Sequence, residues 1–142
     1  GDLKEKFTKL IDELQLNNNC LLHHTVSNIA EKYCMSSIFV LSSRYEGLPL
    51  VLGEAMAYGI APVAFACPCG PRDMITNGKN GLLVENGNIE QLAKQICYLI
   101  ENENVRIEMG RQAKIRAKDF TMEVISRQWK SLFEELMEYA PQ

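Results

Sequence analysis

Apolar positions along this chain switch repeatedly between helical and strand spacing. Leu3, Phe7, Leu10, Ile11 and Leu14 fall on one helical face, which predicts an amphipathic helix with Asp2 as its cap. Cys20-Leu21-Leu22-His23-His24 reads as a short buried strand, and Asn28 followed by Glu31 reads as a capping pair opening a helix to about Met35. The run Ile38 to Ser42 predicts the next strand. A helix leading into Ala55-Met56-Ala57-Tyr58-Gly59 follows, then a strand over Pro62 to Ala66. A short helix near Pro71 to Thr76, the turn Asn77-Gly78-Lys79-Asn80-Gly81 and a strand over Leu82 to Val84 come next. Asn88 caps a helix with Ile89, Leu92, Ala93, Ile96 and Leu99 on its apolar face. A helix over about Val105 to Lys118 and an amphipathic one from Thr121 through Trp129, Phe133 and Leu136 complete the pattern. Helices alternating with short apolar strands predict an α/β fold, a Rossmann-like parallel sheet covered by helices on both faces.

The chemistry concentrates after the Ile38–Ser42 strand. Glu46-Gly47-Leu48-Pro49-Leu50-Val51-Leu52-Gly53-Glu54 places one carboxylate in a Gly/Pro turn and another eight positions later. Pro49 or Leu50 is expected as the first helical residue, where a proline costs no hydrogen bond. Gly59 is suited to end the helix in a left-handed conformation. The Leu50, Val51 and Leu52 amides are then expected to be free donors at the positive end of a helix dipole, a site for phosphate. Carboxylates on both sides of an anion site suit a phosphate that carries hydroxyl-bearing groups on both sides, as in a nucleotide sugar.

Composition narrows the alternatives. At 142 residues the chain is one domain's worth of material. A formal charge of −3 argues against broad nucleic-acid binding, so no nucleic-acid partner is expected. No apolar run reaches the roughly 18 residues of a spanning helix, and no secretory signal opens the sequence. Five cysteines without framework spacing suggest reduced thiols and a cytoplasmic protein. Cys67-Pro68-Cys69 lacks a nearby Cys/His pair and is not read as a zinc site, and no metal ligands are expected elsewhere.

Ser43-Arg44-Tyr45-Glu46 through Glu54 and on to Gly59 resembles the Glu-x7-Glu signature of retaining glycosyltransferases of the two-Rossmann-domain (GT-B) architecture, family 4, also called glycosyl transferases group 1. Downstream, Pro62-Val63-Ala64-Phe65, Cys69-Gly70-Pro71-Arg72-Asp73 and Asn80-Gly81-Leu82-Leu83-Val84 are similar in order to that family's next strand, Gly-rich turn and last strand. The similarity covers most of a C-terminal donor-binding domain, so residues 1–142 are expected to form that domain, incomplete and without the N-terminal acceptor domain. The resemblance implies that Glu46 contacts donor-sugar hydroxyls near the reacting carbon, as the candidate catalytic residue. It implies that Glu54 accepts from the two ribose hydroxyls. Gly47 and Leu48 would offer amides to the sugar, Leu50 and Val51 to the distal phosphate. The loop Val26-Ser27-Asn28 would hold the base, with Val26 and Asn28 as binding residues, although Asn28 is equally explained as a helix cap. Asp73 stands where many relatives have glutamate, which leaves the role of that side chain open. Arg72 reads more simply as a surface residue. His23 and His24, adjacent at a strand end, point to opposite faces and cannot both serve one site.

The implied activity moves a hexose or N-acetylhexosamine from a nucleotide diphosphate sugar, UDP favoured, to a glycan or lipid-linked acceptor in bacterial surface polysaccharide synthesis. Neither a cofactor nor a metal is implied. The longer protein would be cytoplasmic, with a peripheral position at the inner face of the membrane as one option. A doubly wound half orders its strands 3-2-1-4-5-6, and the strands found here correspond to the later ones. In the family the donor domain opens with two strands and a helix that precede the equivalent of Leu3, so the resemblance implies a sheet lacking its first two strands, completed in a longer transferase or by another copy. Exposed faces, including the Trp129 stripe, then offer surfaces for self-association. Two other readings stay open: an isolated binding module without activity, and a sugar-nucleotide epimerase of the same fold.

Overall fold

The computed structural model describes residues Leu3–Glu138. Asp2, expected as a cap, lies outside the described residues. The chain divides into two compact units, Gly1–Glu31 and Lys32–Gln142.

In the first unit, helix α1 (Lys4–Glu13) forms as its spacing predicts, with none of its residues buried. Cys20–His24 does not form a strand: residues 20–25 are irregular and exposed throughout. A strand is stabilised by a neighbour's ladder, and among the described residues of this unit no second extended segment supplies one. Instead Lys4 Nζ donates to His24 Nε2 at 3.1 Å. Asn28 precedes α2 (Ile29–Cys34) as expected, with its Nδ2 donating to the Glu31 carboxylate at 2.9 Å.

The second unit holds a three-stranded parallel sheet, β1 (Ile38–Leu41), β2 (Ala61–Phe65) and β3 (Leu82–Val84), in that spatial order. Sequential order is that of strands 4-5-6 in the doubly wound pattern. Every residue of β2 is buried, because it is the central strand and helices cover both its faces. Ala61, Val63 and Phe65 pack with Leu92 and Leu99 of α5 (Ile89–Glu101) and Met109 of α6 (Glu103–Ala117). On the opposite face Ala64 packs with Leu52 and Met56 of α3 (Leu50–Ala57), Met74 of α4 (Pro71–Met74) and Ala113 of α6. This alternation is the period of two that a strand imposes. Leu52, Met56, Leu99 and Val63 are fully buried, each worth about 1.5–3 kcal/mol of burial.

Pro62 sits inside the central strand, where a missing N–H ordinarily breaks a ladder. The Ala66 amide donates to Val84, so the amides of residues 62, 64 and 66 face β3. β3 begins its pairing at Val63–Leu82, one step beyond Pro62, so no partner is left wanting there. Gly81 lies opposite, and a Cβ on it would come within 2.7 Å of the proline ring.

α3 ends in a Schellman motif, with Gly59 at φ 78°. The Ile60 amide reaches back to Ala55 O at 3.1 Å and the Gly59 amide to Met56 O at 2.9 Å. The Gly59 carbonyl lies against Gly110 of α6 so closely that a Cβ at Gly110 would overlap it. The last helix, α7 (Met122–Glu138), follows a 3₁₀ turn over Lys118–Phe120. Trp129 is 54% exposed, and Leu132, Phe133 and Leu136 are exposed with it, so the expected stripe is uncovered among the described residues. No described helix is long and apolar enough to cross a membrane.

Candidate functional site

β1 ends at Leu41, and the chain leaves the carboxyl edge of the sheet through the loop Ser42–Pro49. This is the edge at which open α/β sheets bind ligands. Pro49 is extended, at φ −74° and ψ 96°, so Leu50 becomes the first helical residue of α3. The Leu52 amide donates to Pro49 O at 3.0 Å, and the Gly53 amide shares that carbonyl at 3.3 Å. Of the three amides expected to be free, Leu52 is thus taken, because the first turn tightens to 3₁₀ geometry. The Leu50 and Val51 amides have no hydrogen-bond partner among the described residues.

Glu46 is half-buried in the loop, and its carboxylate has no hydrogen-bond or ion-pair partner among the described residues. Its position is set by the backbone around it. Gly70, at φ 79°, packs directly beneath: a Cβ there would approach Gly47 O and Pro49 Cδ at 2.6 Å and Glu46 Cβ at 3.4 Å. From the β3 side, Asn86 Nδ2 donates to Arg44 O at 2.9 Å. Gly47 and Leu48 are exposed in the same loop.

Glu54, in the second turn of α3, is held differently. The Tyr33 hydroxyl donates to Glu54 Oε2 at 2.8 Å. Burial, then the hydrogen bond to Glu54 and its charge, push the Tyr33 hydroxyl up to about 12. The Tyr33 ring lies 5.2 Å from that of Tyr58. Leu48, Leu50 and Glu54 together line a mostly apolar cleft of about 350 Å³, closed on its far side by Met74, Ala117 and Phe120. Val51 does not line that cleft; its carbonyl is 3.5 Å from the Tyr33 hydroxyl. Val26, half-buried, and Asn28, exposed, belong to the first unit and are placed within it alone.

The turn after β2 has a structural logic. Asp73 Oδ2 accepts from the Gly70 amide at 2.9 Å, so this shorter carboxylate caps its own helix. Arg72 Nε donates to Ala66 O at 2.9 Å on an exposed surface, in keeping with the simpler account of it. Arg116 reaches the carbonyl end of α4, donating to Asp73 O at 2.7 Å. Cys67 is buried with its thiol 3.4 Å from Cys69 O, and all five cysteines are free. Two residues escaped the sequence reading. Gly70 was visible as part of a Gly-rich turn, but its packing beneath the Glu46 turn was not. Tyr33 carried none, since its hydroxyl meets Glu54 only through the packing of α2 on α3.

The family model of the glycosyl transferases group 1 matches residues 1–116. The chain belongs to that family. Its sheet and helices match part of the C-terminal domain of the GT-B architecture expected of a group 1 transferase. An uncharacterized glycosyltransferase of Haemophilus influenzae is 33% identical over 93% of this chain and 37% of its own length. The poly(ribitol-phosphate) alpha-N-acetylglucosaminyltransferase of Staphylococcus aureus is also 33% identical, over 94% of this chain and 27% of its own. A structure of a mutant S. aureus TarM, in complex with Fondaparinux, alpha-GlcNAc-glycerol and UDP, superposes with a TM-score of 0.86 at 32% identity. That match covers 92% of this chain and 27% of TarM. The group 1 chain described here therefore spans little more than a third of these relatives at most.

Proposed function

We propose that this chain is the donor-binding part of a retaining glycosyltransferase. It moves a hexose or N-acetylhexosamine from a nucleotide diphosphate sugar, with UDP as the favoured nucleotide, to a glycan or lipid-linked acceptor of a bacterial surface polysaccharide. The observation that carries this reading is the Glu46–Glu54 segment. Its unpartnered Leu50 and Val51 amides open a helix at the carboxyl edge of the sheet, one carboxylate stands before them, and the other lies in the adjoining cleft. The similar S. aureus transferase, named for an N-acetylglucosaminyl transfer, and the UDP complex of TarM support the choice of donor.

In this reading the two amides and the helix dipole receive the distal phosphate, which takes up negative charge as it leaves. Charge neutralisation by backbone donors makes a metal unnecessary to the proposal. Glu46 faces the sugar hydroxyls, and Glu54 accepts from both ribose hydroxyls in a charge-assisted pair of bonds. The bond from the sugar's anomeric carbon to the diphosphate breaks, the acceptor oxygen bonds to that carbon on the same face, and the acceptor's hydroxyl proton passes to the departing phosphate.

Calorimetric titration of the full-length protein with UDP, GDP and ADP tests this. UDP is expected to bind most tightly, and Glu54→Ala to weaken it by about 1–3 kcal/mol. Absence of binding to all three nucleotides would reject the nucleotide-sugar reading, and an unchanged UDP affinity in Glu54→Ala would reject the ribose role.

A further inference from the structure

A glutamate on an exposed helix face ordinarily samples several rotamers, and ordering it on ligand binding costs free energy. Glu54 is exposed but is held in place. Tyr33, only 7% exposed, projects from α2 and donates to Glu54 Oε2 at 2.8 Å. The phenol has one proton to give. Its other neighbour, Val51 O, is at 3.5 Å, the outer limit of a hydrogen bond, so the carboxylate takes the proton. The ring itself has little freedom. It packs with Ala55 and Ile60 and with the partly buried Phe39, and it rests against Tyr58 at 5.2 Å between centroids. Ala55 is Glu54's neighbour on α3 and Tyr58 is that helix's C-cap, so the ring is braced by the helix whose carboxylate it holds.

An ionised carboxylate has about four acceptor sites. Tyr33 occupies one of them, which leaves enough for the two hydroxyls of a ribose. A donor already in place also fixes the plane in which the remaining lone pairs lie. The hydroxyl, pushed up to about 12, stays protonated through the neutral range and keeps donating.

We propose that Tyr33 is a positioning residue, one that holds the Glu54 carboxylate for the paired ribose hydroxyls of the nucleotide and so sharpens selection for a ribonucleotide. This rests on the reading of Glu54 as the ribose acceptor given above. A purely structural tyrosine would support the stability of the domain and leave nucleotide choice untouched. A positioning tyrosine changes the choice between nucleotides that differ only in those hydroxyls.

The experiment compares UDP with 2′,3′-dideoxy-UDP by calorimetry on the full-length protein, as wild type, Tyr33→Phe and Glu54→Ala. Phenylalanine keeps the packing against Tyr58 and removes only the hydroxyl; Tyr33→Met is read in the same way if the Phe variant does not melt cooperatively. The wild type should prefer UDP by about tenfold or more, and Glu54→Ala should abolish the preference. Tyr33→Phe should cut the preference to about threefold while the dideoxy affinity stays within about twofold of wild type. A preference lost in Glu54→Ala but intact in Tyr33→Phe overturns the role of Tyr33 alone. Equal weakening of both nucleotides in Tyr33→Phe also overturns it, in favour of a structural part. A wild type that binds both nucleotides equally, or neither, overturns the ribose reading of Glu54 and this proposal with it.

Discussion

The loop carrying Glu46 and the helix carrying Glu54 are adjacent in sequence yet restrained by opposite means. Glu46 has no side-chain partner among the described residues; its backbone is pressed from below by Gly70 and tied at Arg44 by Asn86. Glu54 belongs to a regular helix, and there the side chain is the restrained part, through Tyr33. In the proposed reading, the carboxylate that meets the reacting sugar is thus left free to respond, on a backbone held by its neighbours. The carboxylate proposed to meet an unreactive ribose is set in advance. The difference teaches that rigidity can be supplied to the main chain or to the side chain, according to whether the ligand atom it meets changes during reaction.

The sharpest way to test the contrast is to remove the free carboxylate. Glu46→Ala should lower turnover of the full-length enzyme by about 10²–10³, the scale of losing one electrostatic stabiliser, and leave UDP affinity within about twofold. Loss of UDP binding in parallel with turnover would place Glu46 on the nucleotide and end the distinction. A smaller effect is expected from breaking the brace. Gly70→Ala puts a Cβ within 2.6 Å of Gly47 O at a φ of 79°, which should cost about 2–3 kcal/mol in stability, read by denaturant melts, with turnover falling further than UDP binding. A variant as stable as wild type would mean that the Glu46 turn does not depend on Gly70.

The smallest effect belongs to the side-chain restraint. Tyr33→Phe should cost about 1 kcal/mol of stability at neutral pH. The hydroxyl's value is raised from 10.0 to about 12 in the fold, so the stability it supplies is complete below the unfolded value and is lost as pH rises through the folded one. The gap between wild type and Tyr33→Phe should accordingly narrow between about pH 10 and 12. A gap that stays constant over that window would show that the phenol is not held by burial and Glu54.

Much of this arrangement was legible beforehand, because the signals were local. The strand over Leu82–Val84, the start of α3 at Leu50, the left-handed Gly59 and the Asn88 cap, whose Oδ1 accepts from the Gln91 amide, all depend on residues within one turn of each other. The order of Glu46, Gly47, Pro49 and Glu54 likewise placed the candidate site on a strand-turn-helix unit, which the structure has. Cys20–His24 was misread because an apolar run meets the strand pattern whether or not a ladder is available to it. Leu52 was misread because the choice between α and 3₁₀ hydrogen bonding in a first turn is decided by the extended Pro49, not by residue type. Gly70 beneath Glu46, and Tyr33 against Glu54, join residues more than twenty positions apart, a distance over which periodicity carries no information.

The contact of Gly59 with Gly110 has a bearing on redesign. It sits at the end of α3 away from the Leu50 and Val51 amides and limits how closely that helix is seated on α6. The constraint is one-sided: a Cβ at Gly110 would overlap the Gly59 carbonyl, whereas Gly59 is held to glycine by its φ of 78°. A library that diversifies Gly110 therefore samples mostly α3 displaced from α6, with Glu54 carried along, so a change of donor preference selected there would, in the proposed reading of Glu54, come from movement of an unaltered residue.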